Sequence, residues 1–263
     1  MVQEVPILAC KGVTKQFGSL KAINALDFTV GRGEVLGIGG PNGAGKTTLF
    51  DVLSGLSPIT AGQVLLQGTD ITGAAPDRIC QQGLARTFQL NAAFDSLTLR
   101  ENVQVAARFG RQATLMPGLM LKQDVRDIAE AALEFVGLSP RAHLVAGSAP
   151  VIDRKLLMIA SALATDPEIL LMDEPVGGLT HGETDVIMDC VRRLKTRGIT
   201  VILIEHVMRF LVGLSDRVII LHHGEKIFEG SPGGLIEDSK VVDVYLGAGA
   251  SARLRDQLVT VGP

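Results

Sequence analysis

One run of nine residues restricts this chain's fold more than any other: Gly40-Pro41-Asn42-Gly43-Ala44-Gly45-Lys46-Thr47-Thr48. It fits G-x-x-x-x-G-K-[ST], and its surroundings fit as well. Gly33 to Ile38 reads as a short buried strand, and Lys46 to Leu56 reads as the helix after the turn. A strand feeding a glycine-rich turn and a helix start is the setting in which this pattern cradles phosphate. Glycines at 40, 43 and 45 let the backbone bend around an anion without Cβ clashes. Backbone N–H groups and the positive end of the helix then face the phosphates. In that arrangement Lys46 reaches the β- and γ-phosphates, and the Thr47 hydroxyl holds Mg²⁺. A plain glycine-rich turn would not require lysine and threonine in this register, so the rest of the chain is expected to serve a bound triphosphate.

A length of 263 residues suffices for one large α/β domain, or for a core with a smaller attached subdomain. The net charge of −3 gives no broad basic surface, so nucleic acid is not an expected partner. The hydrophobic share is 46% with no Trp and one Tyr, and so largely aliphatic, which suits a buried parallel sheet. The most apolar stretch, Ile199 to Leu221, is broken by Glu205, His206, Arg209, Asp216 and Arg217 and does not read as a membrane span. Met1-Val2-Gln3-Glu4-Val5-Pro6 lacks the basic-then-apolar layout of a signal peptide. Cys10, Cys80 and Cys190, without C-x-x-C spacing, read as reduced buried thiols.

Along the chain, Ile7 to Lys11, Ala25 to Val30 and Glu34 to Ile38 look like strands, punctuated by Gly18, Gly31 and Gly33. Gly83 to Gln89 reads as a strand ending in a polar residue. From Thr98 to about Leu163 the pattern is helical. Thr98 and Glu101 form a capping box. Val125 to Val136 repeats apolar residues at helical spacing until Gly137, and Asp153 to Ala164 forms a third helix. The apolar loop Ala113 to Leu121, with Met116 and Met120, packs on its own subdomain or offers a contact to a membrane partner. Strand Ile169 to Met172, a helix opening at Thr180, strand Thr200 to Ile204, a helix from His206 and strand Arg217 to Leu221 then alternate as parallel βαβ units do. Gly224 and Gly230 bracket a last β segment. The expected architecture is an α/β P-loop NTPase with a mostly parallel sheet, an N-terminal antiparallel β part and an inserted helical subdomain. Residues 1–97 and 165–250 would form the core, 98–164 the helical insert and 251–263 a polar tail.

Ile169-Leu170-Leu171-Met172-Asp173-Glu174 is an apolar run closed by two carboxylates. A buried strand would deliver both acids at its C-terminal end, beside the P-loop, where α/β sheets bind ligands. Asp173 is suited to hold Mg²⁺, and Glu174 to polarise a water that attacks the γ-phosphate. Gln89 and His206 also stand at strand ends. An amide there ligates Mg²⁺ or senses the γ-phosphate, and a neutral imidazole donates to a phosphate oxygen. Each, taken singly, also reads as an ordinary polar loop residue.

The order of pieces, P-loop, Gln89, helical block, Asp173-Glu174 and His206, resembles the ATPase subunit of ABC transporters over nearly the whole chain. Gly83-Leu84-Ala85-Arg86-Thr87-Phe88-Gln89, Glu101-Asn102-Val103, Ile204-Glu205-His206 and Val244-Tyr245-Leu246-Gly247 look like the branched-chain amino-acid (LivG/LivF) uptake group. The resemblance implies a peripheral ATPase on the cytoplasmic face of a bacterial inner membrane, using ATP and Mg²⁺. It implies integral-membrane permease subunits as partners, and indirectly a periplasmic solute-binding protein. The solute would be a branched-chain type amino acid or a similar small polar molecule. By motif, Phe17 stacks on adenine, Gln89 is the Q-loop residue, His206 the switch histidine and Gly177-Gly178-Leu179 the D-loop. Phe94 with Leu115, Met116, Leu119 and Met120 would form the groove that docks a permease helix. A related ATPase of lipopolysaccharide export shares the Tyr-Leu-Gly ending and is the neighbouring alternative.

One place departs from the family pattern. Where the family carries a Leu-Ser-Gly-Gly-Gln type signature, this chain has Ala149-Pro150-Val151-Ile152-Asp153. The serine hydroxyl and both glycines are missing, and Val151 and Ile152 resist a close backbone approach. Asp153 is expected to face the opposing anion, with repulsion on the order of 3 kcal/mol at about 6 Å and a dielectric near 20. This favours a heterodimer with a related ATPase subunit carrying an intact signature over a homodimer, or else a nucleotide-binding subunit with little turnover.

Overall fold

Two patterns of strand burial produce two kinds of sheet. The computed structural model describes residues 5–88, 93–110, 123–236, 238 and 241. In chain order the first half contains β1 (Leu8–Phe17), β2 (Leu20–Val30), β3 (Val35–Gly39), α1 (Lys46–Leu53), β4 (Ala61–Leu66), β5 (Thr69–Asp70), α2 (Pro76–Gln81) and β6 (Leu84–Thr87). The second half contains α3 (Leu99–Phe109), α4 (Gln123–Phe135), α5 (Val151–Leu163), β7 (Ile169–Asp173), α6 (His181–Thr196), β8 (Thr200–Ile204), α7 (Met208–Leu214), β9 (Arg217–His222) and β10 (Glu225–Gly230).

In β2 the residues Leu26, Phe28 and Val30 are buried while Asp27 and Thr29 are exposed, the alternation of a sheet with one wet face. It belongs to an antiparallel sheet ordered β2-β1-β4-β5. Every residue of β3, β7 and β8 is buried, as expected for strands covered on both faces. These lie in a second sheet ordered β10-β9-β3-β8-β7-β6, parallel except for β10. One apolar core, with Phe50 and Leu53 of α1, fills the space between the two sheets. A second core covers the other face with α6, α7 and the helices α3, α4 and α5, which pack on one another.

Several boundaries differ from the sequence reading. The first two strands form one long hairpin, with β1 running on to Phe17 and β2 beginning at Leu20; register shifts between Cys10 and Gln16 break the alternation that marks a strand in sequence. The P-loop helix stops at Leu53, where Gly55 takes a left-handed conformation, rather than at Leu56. α2 was not expected; at six residues it is too short to show helical periodicity. α7 starts at Met208, not His206, because the Glu205 carboxylate accepts the backbone N–H groups of His206 and Val207. Cys10 and Cys190 are buried free thiols, but Cys80 is only half-buried. Among the described residues no helix is long and apolar enough to cross a membrane. Gln89, the Ala113 to Leu121 loop and the Val244 to Gly247 ending lie outside the described residues.

Candidate active site

The buried strand β3 ends at Gly39, and the chain turns through residues 40–45 before α1 begins at Lys46. The turn demands glycine. Gly40 sits at φ 142°, and a Cβ there would stand 2.3 Å from the Leu221 carbonyl oxygen. Gly45 sits at φ 100°, and its Cβ would stand 2.2 Å from the Ala22 carbonyl oxygen. No side chain caps α1, so its first N–H groups remain available to a ligand. The turn between β9 and β10 braces the loop: Gly224 N–H donates to Ala44 O, and Asn24 N–H donates to Gly224 O.

A cleft of about 380 Å³ opens over this turn. Asn42, Gly43, Gly45, Lys46, Thr47 and Thr48 form one wall, Phe17 stands at the end of β1, and Glu174 closes the far side. Phe17 is 52% exposed. Lys15 Nζ sits 4.6 Å from the Phe17 ring centroid. Lys46 is buried, its Nζ donating to Gly40 O at 2.8 Å and Pro41 O at 3.0 Å. Burial pulls its pKa down, while the carboxylates of Glu174 and Asp173 oppose that shift.

β7 delivers Asp173 as its last residue and Glu174 immediately beyond. Asp173 is buried, which pushes its pKa up, against the neighbouring Arg86 guanidinium. Arg86 holds one of its oxygens, Oδ2, at 3.0 Å. Thr47 and Asp173 offer a hydroxyl and a carboxylate, the oxygen donors that a hard divalent cation takes. Glu174 has φ 46°, an uncommon conformation for a residue with a side chain. Its backbone is gripped on both sides: its N–H donates to Ile204 O at 3.0 Å, and its carbonyl accepts from Lys155 Nζ at 2.7 Å. His206 Nδ1 lies 3.7 Å from Glu174 Oε1. The structure therefore gathers Lys46, Thr47, Asp173, Glu174 and His206 at the C-terminal ends of β3, β7 and β8.

Four groups escaped the sequence reading. His223, on the β9–β10 turn, lines the cleft opposite Phe17. Glu205 is fully buried and accepts from Val176, His206 and Val207 N–H, tying the loop after Glu174 to the one bearing His206. Lys155 and Arg86 each reach in from another element. Charged residues inside apolar segments were the available signal, since such residues are rarely buried unless paired.

The ABC transporter family model matches residues 23–177. The chain belongs to the ABC transporter family. The cassette is 34% identical to the high-affinity branched-chain amino acid transport ATP-binding protein BraF of Pseudomonas aeruginosa, over 92% of this chain and 98% of the relative. It is also 34% identical to the Nod factor export ATP-binding protein I of a Rhizobium species, over 90% of this chain and 75% of the relative. Among solved structures, an ATP-binding cassette of an ABC transporter in its ADP conformation superposes with a TM-score of 0.85 at 31% identity, over 92% and 99% of the two chains. The cassette is accordingly an ATP-binding, ATP-hydrolysing subunit of an ABC system.

The signature position corrects one expectation. α5 begins at Val151 with Pro150 as its uncapped start, and Val151 is 43% exposed. Asp153 does not face outward. Its side chain is fully buried, with Oδ1 3.2 Å from Arg141 Nη1 and no hydrogen-bond partner among the described residues. The carboxylate is therefore not presented at the surface of the helix start, as an Asp facing an opposing phosphate would be; this Asp at the third helical position lies inside, beside Arg141. What remains altered is shape and the missing hydroxyl.

A second cavity, of about 360 Å³, lies where α2, α3, α5 and β6 meet. Leu56, Phe88 and Phe94 are exposed around it. Asn102 anchors the Phe94 segment: its Oδ1 accepts from Phe94 N–H and its Nδ2 donates to Phe94 O.

Proposed function

We propose that this cassette hydrolyses Mg²⁺-ATP to drive a membrane importer of branched-chain type amino acids or similar small polar solutes. The observation that carries the catalytic reading is Glu174, held over the P-loop cleft within 3.7 Å of His206. Phe17 stacks on the base, residues 40–48 surround the phosphates, and Lys46 bonds the terminal ones. Thr47, Asp173 and Gln89 would hold Mg²⁺, which when bound would supply positive charge to the phosphates. Glu174 orients the attacking water and takes its proton. His206 donates to the γ-phosphate and so marks its presence for Glu174.

The solute class rests on the BraF likeness, and the cavity around Phe94 is read as the seat of a permease helix at the cytoplasmic face of the membrane. Residues 98–164 act as the helical subdomain that closes over nucleotide held by a second cassette. Because α5 starts without a hydroxyl or glycine, that second cassette is a related chain with an intact signature, and this chain supplies the P-loop half of the competent site. A periplasmic solute-binding protein would hand on the solute.

Uptake of labelled leucine by cells lacking this gene tests the assignment. Loss of ATP-dependent uptake, restored by the wild-type chain and not by Glu174→Gln, supports it. Normal leucine uptake together with impaired lipopolysaccharide export would instead favour the export reading, the class of activity named in the Nod factor export relative.

A further inference from the structure

Arg86 is a charged residue in the last buried strand of the sheet, and only 7% of its side chain is exposed. Its guanidinium forks between two carboxylates on different elements. Nη1 reaches Asp51 Oδ1 at 2.6 Å on α1, and Nη2 reaches Asp173 Oδ2 at 3.0 Å on β7. Asp51 is one helical turn beyond Thr47, so the two share a face of α1. The fork thus ties together the two elements whose oxygens are read as facing the metal. The guanidinium carbon also lies over the rings of Phe50 and Phe88, 5.6 and 5.5 Å from their centroids. Phe50 is in the core, whereas Phe88 and Arg86 itself line the apolar cavity. Nη1 also donates to Ser54 Oγ at 3.3 Å, and Nε is buried without a hydrogen-bond partner among the described residues, so the guanidinium is held by two carboxylates, one hydroxyl and two rings.

We propose that Arg86 is a positioning residue that sets Asp173 relative to Thr47 for the metal, and that Phe88 makes this setting responsive to what fills the apolar cavity. The proposal rests on the reading of Asp173 as a metal-facing carboxylate. A planar fork that bridges two acids has no equivalent in lysine, which is a point charge on a flexible stem. Partners that orient a metal ligand commonly govern metal affinity without touching the metal. A group pressing on Phe88 shifts a ring that packs on the guanidinium, and the fork carries that shift to both carboxylates.

Equilibrium binding of a fluorescent ATP analogue to the full chain, titrated with Mg²⁺ after EDTA, tests this without needing turnover or a partner. Arg86→Met is expected to raise the Mg²⁺ midpoint about tenfold while binding in EDTA stays within about twofold. Arg86→Lys, which also serves should the Met variant fail to fold, recovers only part of the loss. Phe88→Ala raises the midpoint about threefold in the wild-type background and leaves it unmoved in the Arg86→Met background, the non-additivity of residues acting through one another. Unchanged midpoints in the Arg86 variants overturn the proposal, as does an equal fall of binding in EDTA, which would mark a merely structural role. A Phe88 effect that persists in the Arg86→Met background overturns the coupling. Asp173→Asn separates the two readings. If it leaves the midpoint in place, the metal assignment fails; if it alone raises the midpoint, only the Arg86 role fails.

Discussion

The helix starts at Lys46 and Val151 both lack a side-chain cap, yet they are built for opposite approaches. Ahead of α1, three glycines at positive φ curve the backbone, with Gly40 and Gly45 pressed against neighbouring carbonyls and Gly43 open to its surroundings, and Lys46 adds charge. Ahead of α5, Pro150 offers no N–H, and the exposed β-branched Val151 stands where a phosphate would have to approach. Each helix brings the same dipole, about half a positive charge at its start. The contrast shows that the dipole alone does not make an anion site; the width of the approach and the extra donors decide. On the proposed reading, the ability to hold a nucleotide and the ability to complete a neighbour's site would be separated in this cassette.

The comparison breaks first at Glu174. Glu174→Gln in the assembled ATPase should lower phosphate release by about 10²–10⁴ while a fluorescent ATP analogue still binds. Undiminished release would remove Glu174 from the chemistry and leave the P-loop side no better equipped than α5. Next in size is Gly45→Ala, whose new Cβ meets the Ala22 carbonyl in a backbone conformation that alanine resists. It should cost about 2–3 kcal/mol in denaturant unfolding and abolish analogue binding. Val151→Ala, at the other helix start, should change stability by less than about 0.5 kcal/mol, the range of ordinary surface changes.

A smaller effect sharpens the contrast from the α5 side. Restoring a hydroxyl and small residues there with Pro150→Ser, Val151→Gly and Ile152→Gly should raise ATP turnover of the chain alone about tenfold, less than the roughly 10²–10³ that one fully preorganised donor contributes. Brisk turnover by the unmodified chain alone would show that its signature already works, and the heterodimer reading would fall.

The P-loop side was legible because its chemistry is local. Glycines, lysine and threonine sit in one turn, and the acids at 173 and 174 end a run of apolar residues that can only be a buried strand. The capping boxes at Thr98 and Thr180 were legible for the same reason, since Glu101 and Glu183 bond back within one turn. What stayed hidden depends on distant partners. Arg86 draws its meaning from Asp51 and Asp173, Glu205 from Val176, and Lys155 from the Glu174 carbonyl. The loop that carries His206 was misread as helix because a buried carboxylate captures the N–H groups on which the helix was expected to start.

Asp153 shows the same limit and supplies the smallest test. Burial raises its carboxyl pKa above the usual 3.8, and Arg141 only partly opposes this. A carboxyl that holds its proton more tightly when folded contributes stability in full below its unfolded pKa, and that contribution fades as pH rises through the higher folded value. The buried carboxyl has one partly exposed counter-charge among the described residues, Arg141. Asp153→Leu should remove the loss of stability that sets in as pH rises above the usual carboxyl value of 3.8, and gain about 1 kcal/mol once that loss is complete, as replacing buried ion pairs by apolar residues often does. Turnover should not move, because the carboxylate points away from the helix start. If urea unfolding shows the gain and turnover also rises, the charge does reach the partner's phosphate, and the difference between the two helix starts is electrostatic rather than one of shape.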